Sequence, residues 1–268
     1  MKKLLSWTLV IVALAACHNS ENSSTDNENI SAAIPTPKVM NYSIMKIYPH
    51  DSTSYTEGLV WMNNLIYESG GQYKESRLQK SVLETGKVLQ SVKLTNDFFG
   101  EGISIINNKI YQLTYKEHKV FVYDMNFKKL PQELYWPYEG WGMTTDGTYL
   151  ILDTGGSNLY FVNPETFKIE RTLGVVDNNG YVDSINELEY LDGYIYANRY
   201  LTNYLLKINI KTGYVEGKAD LTGILEKNQL PVPKDEGAVL NGIAYDSAKK
   251  SFYITGKYWP ALFEIKLN

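Results

Sequence analysis

The sequence predicts an all-β chain folded as a five-bladed β-propeller, with the last blade completed by a strand from the N-terminal side. Three observations predict it. The first is a returning motif of polar residue, glycine and apolar residue. It stands at Glu57-Gly58-Leu59, Glu101-Gly102-Ile103, Trp141-Gly142-Met143, Asn186-Glu187-Leu188 (a variant without the glycine) and Asn241-Gly242-Ile243. Successive starts are 44, 40, 45 and 55 residues apart, and a period of about 40–50 residues with several strands per unit is the signature of a propeller. The second is the repeated order of strands and turns after each motif. The third is an unpaired strand at each end of the repeat.

Within each unit the motif opens the innermost strand. Turn signals follow at Asn63-Asn64, Asn107-Asn108, Asp146-Gly147 and Asp192-Gly193, residue pairs that accept the backbone of tight hairpins. A second strand carries a Tyr-rich run, as in Lys109-Ile110-Tyr111-Gln112 and Tyr194-Ile195-Tyr196-Ala197. A third strand alternates, as in Val120 to Tyr123 and Leu205 to Ile208, and a turn such as Lys211-Thr212-Gly213 leads to a fourth. The fifth unit has only three strands, the third being Leu262 to Leu267. Tyr42 to Tyr48 precedes the first unit and has no partner there, so it is expected to complete the last blade and remove an exposed edge. No long segment keeps a 3.6-residue period; one short helix is expected within Leu221 to Lys227.

The N-terminus reads as an address. Met1-Lys2-Lys3 is basic, Leu4 to Ala16 is apolar and too short for the roughly 20 residues of a membrane-spanning helix, and Leu14-Ala15-Ala16-Cys17 follows. This resembles a bacterial lipoprotein signal over residues 1–17, in which Cys17 becomes the lipidated first residue. Cys17 is the sole cysteine, so no intrachain disulfide forms. Residues 18–38 are polar, with Pro35 and Pro37, and read as a flexible tether. Residues 39–268 form the propeller domain. The expectation is an exported monomer, held to the periplasmic or cell-surface face of a bacterial membrane by lipid alone. A net charge of −4 offers nothing to nucleic acid.

A propeller brings equivalent positions of its blades to one funnel. The motif column holds Glu57, Glu101, Trp141, Asn186 and Asn241. A second column, five residues into each second strand, holds Gly71, Tyr115, Gly155, Tyr200 and Lys257. Polar groups inside an aromatic wall make a small-molecule pocket, and the glycines leave room. Other chemistries find no residues. His18, His50 and His118 form no close-spaced pair for zinc, and neither a nucleophile elbow nor a phosphate-cradling loop is present.

Several strings resemble the metal-independent glutaminyl-peptide cyclotransferases of plants and bacteria. They are Tyr55-Thr56-Glu57-Gly58-Leu59, Phe99-Gly100-Glu101-Gly102-Ile103, Gly140-Trp141-Gly142-Met143-Thr144-Thr145-Asp146-Gly147, Asn186-Glu187-Leu188-Glu189-Tyr190, Leu240-Asn241-Gly242-Ile243-Ala244 and the run from Thr255 to Leu267. The resemblance extends from about Tyr48 to the C-terminus. It implies a five-bladed propeller that closes an N-terminal glutamine to pyroglutamate and releases ammonia, without a cofactor or metal. It further implies that Glu101 is the catalytic acid/base, that Trp141, Asn186 and Lys257 contact substrate, and that Phe99 is an apolar wall. This chain departs from the family pattern at Glu57, where the family has Gln, and at Tyr115 and Tyr200, where it has Trp. Two readings from other classes stand beside it. One is a propeller that binds peptide N-termini without cyclising them, with Glu57 and Glu101 pairing to the amine. The other is a lactonase-type metal propeller with Glu101, Asn186 and Asn241 as calcium ligands.

Overall fold

The structure is a computed structural model and describes residues 34–268; the expected signal segment, with Cys17, and most of the expected tether lie outside these residues. Five four-stranded meanders surround an axis. Blade 1 comprises Thr56–Met62, Leu65–Gly70, Arg77–Val82 and Val88–Lys93. Blade 2 comprises Gly100–Ile106, Lys109–Thr114, Lys119–Asp124 and the two-residue Leu134–Tyr135. Blade 3 comprises Met143–Thr145, Leu150–Leu152, Asn158–Val162 and Ile169–Gly174. Blade 4 runs from Ile185–Leu191 through Tyr194–Arg199 and Tyr204–Asn209 to Val215–Asp220. In blade 5, Leu240–Asp246, Ser251–Gly256 and Ala261–Leu267 are joined by Tyr42–Pro49, antiparallel to the last of them. The expected closure by the N-terminal strand is therefore present. Lys38 and Val39 also pair, in parallel, with Gly217 and Lys218 of blade 4.

The turn chemistry follows the residues. Asn63 and Asn64 both have positive φ (53° and 62°), as do Asn107 and Asn108 (52° and 57°), the geometry of two-residue hairpins whose twist matches the strands. The expected helix is one turn, Ile224–Lys227, whose Ile224 and Leu225 are buried against blades 4 and 5.

The core lies between blades rather than within one. Each hydrophobic cluster draws side chains from two neighbours: Tyr67 and Leu78 with Ile103 and Phe121, Tyr111 and Leu113 with Met143 and Leu150, Phe161 with Ile195 and Leu206, Leu205 and Ala219 with Ile254 and Phe263. The last, Leu59 and Ile66 with Tyr48 and Tyr253, closes blade 5 onto blade 1. The inner strands pack side by side around the axis. The motif glycines permit that approach. A Cβ at Gly58 would lie 2.6 Å from the Ile103 amide nitrogen, and one at Gly102 2.5 Å from the Trp141 carbonyl oxygen. Both are closer than real Cβ contacts come. Glu187, which replaces the glycine in blade 4, instead carries its carboxylate across the axis to accept the amides of Leu59 (3.0 Å) and Ile243 (2.6 Å).

Candidate active site

The motif has a local geometry as well as a sequence. In blades 1, 2, 4 and 5 the pairing register slips at the motif, between Thr56 and Gly58, Gly100 and Ile103, Ile185 and Leu188, and Leu240 and Ile243. These are β-bulges, and a bulge re-aims the side chain it carries. Glu57, Glu101 and Asn186 are thereby turned toward one cavity at the end of the axis. Trp141 reaches it from just before the blade 3 inner strand.

The cavity holds about 230 Å³ and is lined by Tyr55, Glu57, Gln72, Phe99, Glu101, Tyr115, Trp141, Asn186, Tyr200 and Lys257. That is below the roughly 300–1,000 Å³ usual for small-molecule pockets and suits one side chain of a substrate. A larger cavity, about 540 Å³, lies beside residues 35–40 and blade 4, and none of the column residues lines it. The two column glycines seat aromatic rings. A Cβ at Gly71 would come within 2.5 Å of the Phe99 ring, and one at Gly155 within 2.6 Å of the Trp141 indole. The walls are edge-packed aromatics, Trp141 on Tyr200 (centroids 5.4 Å apart) and Phe99 on Tyr115 (5.7 Å).

The polar groups are nearly out of water: Glu57, Glu101, Asn186 and Lys257 are each at most 5% exposed. Lys257 Nζ lies 2.7 Å from Glu57 Oε1 and beneath the rings of Tyr55 (4.3 Å) and Tyr200 (5.0 Å). Burial raises the Glu57 carboxyl, and the Lys257 ammonium opposes the rise. Among the described residues Glu101 forms no ion pair, and the Lys257 charge opposes its rise less than Glu57 drives it. Burial, and then the neighbouring Glu57 charge, lift it well above the ordinary carboxylate range. Glu57 is the member of the pair that Lys257 holds directly. Asn186 lines the cavity, and its Oδ1 is buried without a hydrogen-bond partner. Trp141 Nε1–H donates to Glu139 Oε2 at 3.4 Å, and Glu139 in turn pairs with Lys116 at 3.4 Å.

Asn241, expected to contact substrate, does not line the cavity. It is fully buried behind Glu57, and its Nδ2 donates to the Thr56 carbonyl (2.9 Å) and to Glu57 Oε2 (3.2 Å). Its bulge turns it sideways into the neighbouring blade. This also parts the proposed calcium set, since Asn241 does not face Glu101 and Asn186. Among the described residues no group of three or more His, Cys, Asp and Glu is arranged to hold a metal. Two lining residues went unread, Tyr55 and Gln72. Tyr55 stands two residues before Glu57, as Phe99 stands two before Glu101, so the same registration holds the signal for it. Gln72 follows Gly71 in a positive-φ turn (82°).

Relatives agree with this geometry. A family model described as glutamine cyclotransferase matches residues 9–267. The chain belongs to the glutamine cyclotransferase family. It is 34% identical over 237 residues to a glutaminyl-peptide cyclotransferase of Arabidopsis thaliana, covering 86% of this chain and 72% of that one. The crystal structure of a Myxococcus xanthus glutaminyl cyclase superposes with a TM-score of 0.77 at 32% identity, covering 87% of this chain and 98% of that one. The five-bladed propeller is thus that of a family member.

Proposed function

We propose that this protein cyclises the N-terminal glutamine of peptides to pyroglutamate and releases ammonia. The observation that carries the reading is a buried carboxyl, Glu101, beside a second carboxyl in a residue-sized aromatic cavity. The α-amine and the side-chain amide belong to one residue, so the site has only to select the folded rotamer and move protons. The α-nitrogen attacks the amide carbon, the new C–N bond closes the five-membered ring, and the old C–NH₂ bond breaks. Net, one proton must travel from the attacking nitrogen to the leaving one. Glu101 gives its proton to the departing nitrogen and takes one from the α-nitrogen, ending as it began. A carboxyl held well above the ordinary carboxylate range by burial suits both transfers. The Asn186 amide and the Trp141 indole N–H, once released from Glu139, serve as donors to the oxyanion. Such donors are each worth about 3 kcal/mol. Phe99, Tyr115 and Tyr200 wall the glutamine stem and exclude water.

The test is ammonia release from a Gln-led peptide. The wild type turns over, with or without chelator, and Glu101→Gln loses about 10²–10⁴-fold while staying folded. Binding without release would favour a capture module instead. We also propose that Cys17 bears a lipid that holds a monomer to the exported face of a bacterial membrane. This rests on the basic, apolar and small-residue order of residues 1–17. Labelling with a fatty-acid analogue should mark the wild type and not Cys17→Ser.

A further inference from the structure

Glu57 is clamped. Lys257 Nζ sits 2.7 Å from one carboxylate oxygen, and Asn241 Nδ2 donates to the other at 3.2 Å. Asn241 is itself fixed by the Thr56 carbonyl at 2.9 Å. With both oxygens so held, Glu57 has little left for a substrate, although it lines the cavity. Its remaining neighbour is the Glu101 carboxyl, which lies within hydrogen-bond reach. The other ionisable groups facing this pair are few. Tyr55 and Tyr200 stand over Lys257, Tyr258 and Tyr73 lie further out, and Asp153 acts on Glu101 from blade 3.

Charge counting gives the pair its role. One ammonium and two carboxyls in a nearly dry site are neutral when one proton is shared between the carboxyls. Losing that proton would leave a net buried anion, which is costly. We infer that Glu57 is a positioning residue for the acid/base: held by Lys257 and Asn241, it keeps the exchangeable proton on Glu101 between turnovers and so sets the pH range of catalysis. The inference rests on the reading of Glu101 as the acid/base. A neutral amide at position 57 would leave Lys257 to draw the proton off Glu101 instead.

Two substitutions should move the pH profile in opposite directions. In Glu57→Gln the lone Lys257 ammonium favours an ionised Glu101. In Lys257→Met two carboxyls share a site with no cation, and Glu101 holds its proton to higher pH. The experiment is the pH dependence of kcat/KM for Gln-led peptide amides whose α-amines differ in pKa. The limb that stays fixed across substrates belongs to the enzyme. That limb should fall by about one pH unit or more in Glu57→Gln and rise in Lys257→Met, with KM changing less than kcat. An unmoved limb, or movement in one direction for both variants, overturns the inference. Should Glu57→Gln not fold, the direction in Lys257→Met decides alone: upward supports, unmoved or downward overturns. Failure of the underlying reading looks different, because Glu101→Gln would then turn over normally.

Discussion

Glu68 and Glu101 are equally removed from water, at 2% and 5% exposure, yet the protein holds them in opposite states. Glu68 lies in blade 1 near the seam with blade 5. Burial alone would raise it, but His50 with its charge and hydrogen bond (3.2 Å), and the hydroxyls of Ser54 and Thr56, hold it at about 2. Gln79 Nε2 donates to its other oxygen at 3.0 Å. Burial likewise works against a charged His50, but the Glu68 charge and hydrogen bond, the Trp259 carbonyl and the Asp51 charge together outweigh it and raise the imidazole. Glu101 has similar burial, a carboxylate as its strongest charged neighbour, and no comparable donor set. Burial therefore does not choose the charge state; the donors around the carboxyl do. The seam uses its charge to bind segments together. His50 Nδ1 reaches the Trp259 carbonyl at 2.8 Å and the Tyr258 amide donates to the Ser54 carbonyl at 2.7 Å, which pins the loop that presents Lys257. The cavity sets its carboxyl beside a second carboxyl instead of among donors.

Paired substitutions break this contrast most sharply. Glu101→Gln should abolish turnover and spare stability, whereas Glu68→Gln should cost about 3–5 kcal/mol in urea denaturation, since it leaves half of a buried ion pair. The pH dependence of stability should differ in sign. The folded Glu68 value is depressed, so its contribution is full above the ordinary carboxylate range and is lost as pH falls toward about 2. His50 is raised, so its contribution is full below about 6.5 and is lost as pH rises through its folded value. Glu101 is raised, so stability declines as pH climbs from about 4.3 toward its folded value. Melting curves should therefore show Glu101→Gln gaining on the wild type as pH rises over that range, and Glu68→Gln losing most where both partners are charged. Smaller effects test the scaffold. Gly155→Ala places a methyl against the Trp141 indole at a φ of 72° and should raise KM and lower kcat together, by roughly tenfold if about 1.4 kcal/mol of positioning is lost. Asn64→Ala, in a turn of blade 1 at φ 62°, should cost about 1 kcal/mol of stability and leave the kinetics alone.

The sequence made the repeat legible because every blade opens on one motif or, in blade 4, its variant, and the repeat carried Glu57, Glu101, Trp141 and Asn186 to a common mouth. It carried Asn241 there as well, wrongly. Registration gives a column, and only packing decides which member of a bulge faces the cavity and which supports its neighbour. Glu187 read as an imperfect motif, and its span to Leu59 and Ile243 needs blades 1 and 5 in place. The His50–Glu68 network was illegible for a related reason. It is not repeated, and its members come together only where the last blade meets the first.

The protonation of Glu101 at neutral pH is the most direct test of the account. Infrared difference spectra of the wild type against Glu101→Gln report it. The account predicts that the substitution removes the carbonyl band of a neutral carboxylic acid, while the carboxylate bands stay. Loss of a carboxylate signal instead would show Glu101 ionised at rest and contradict the account.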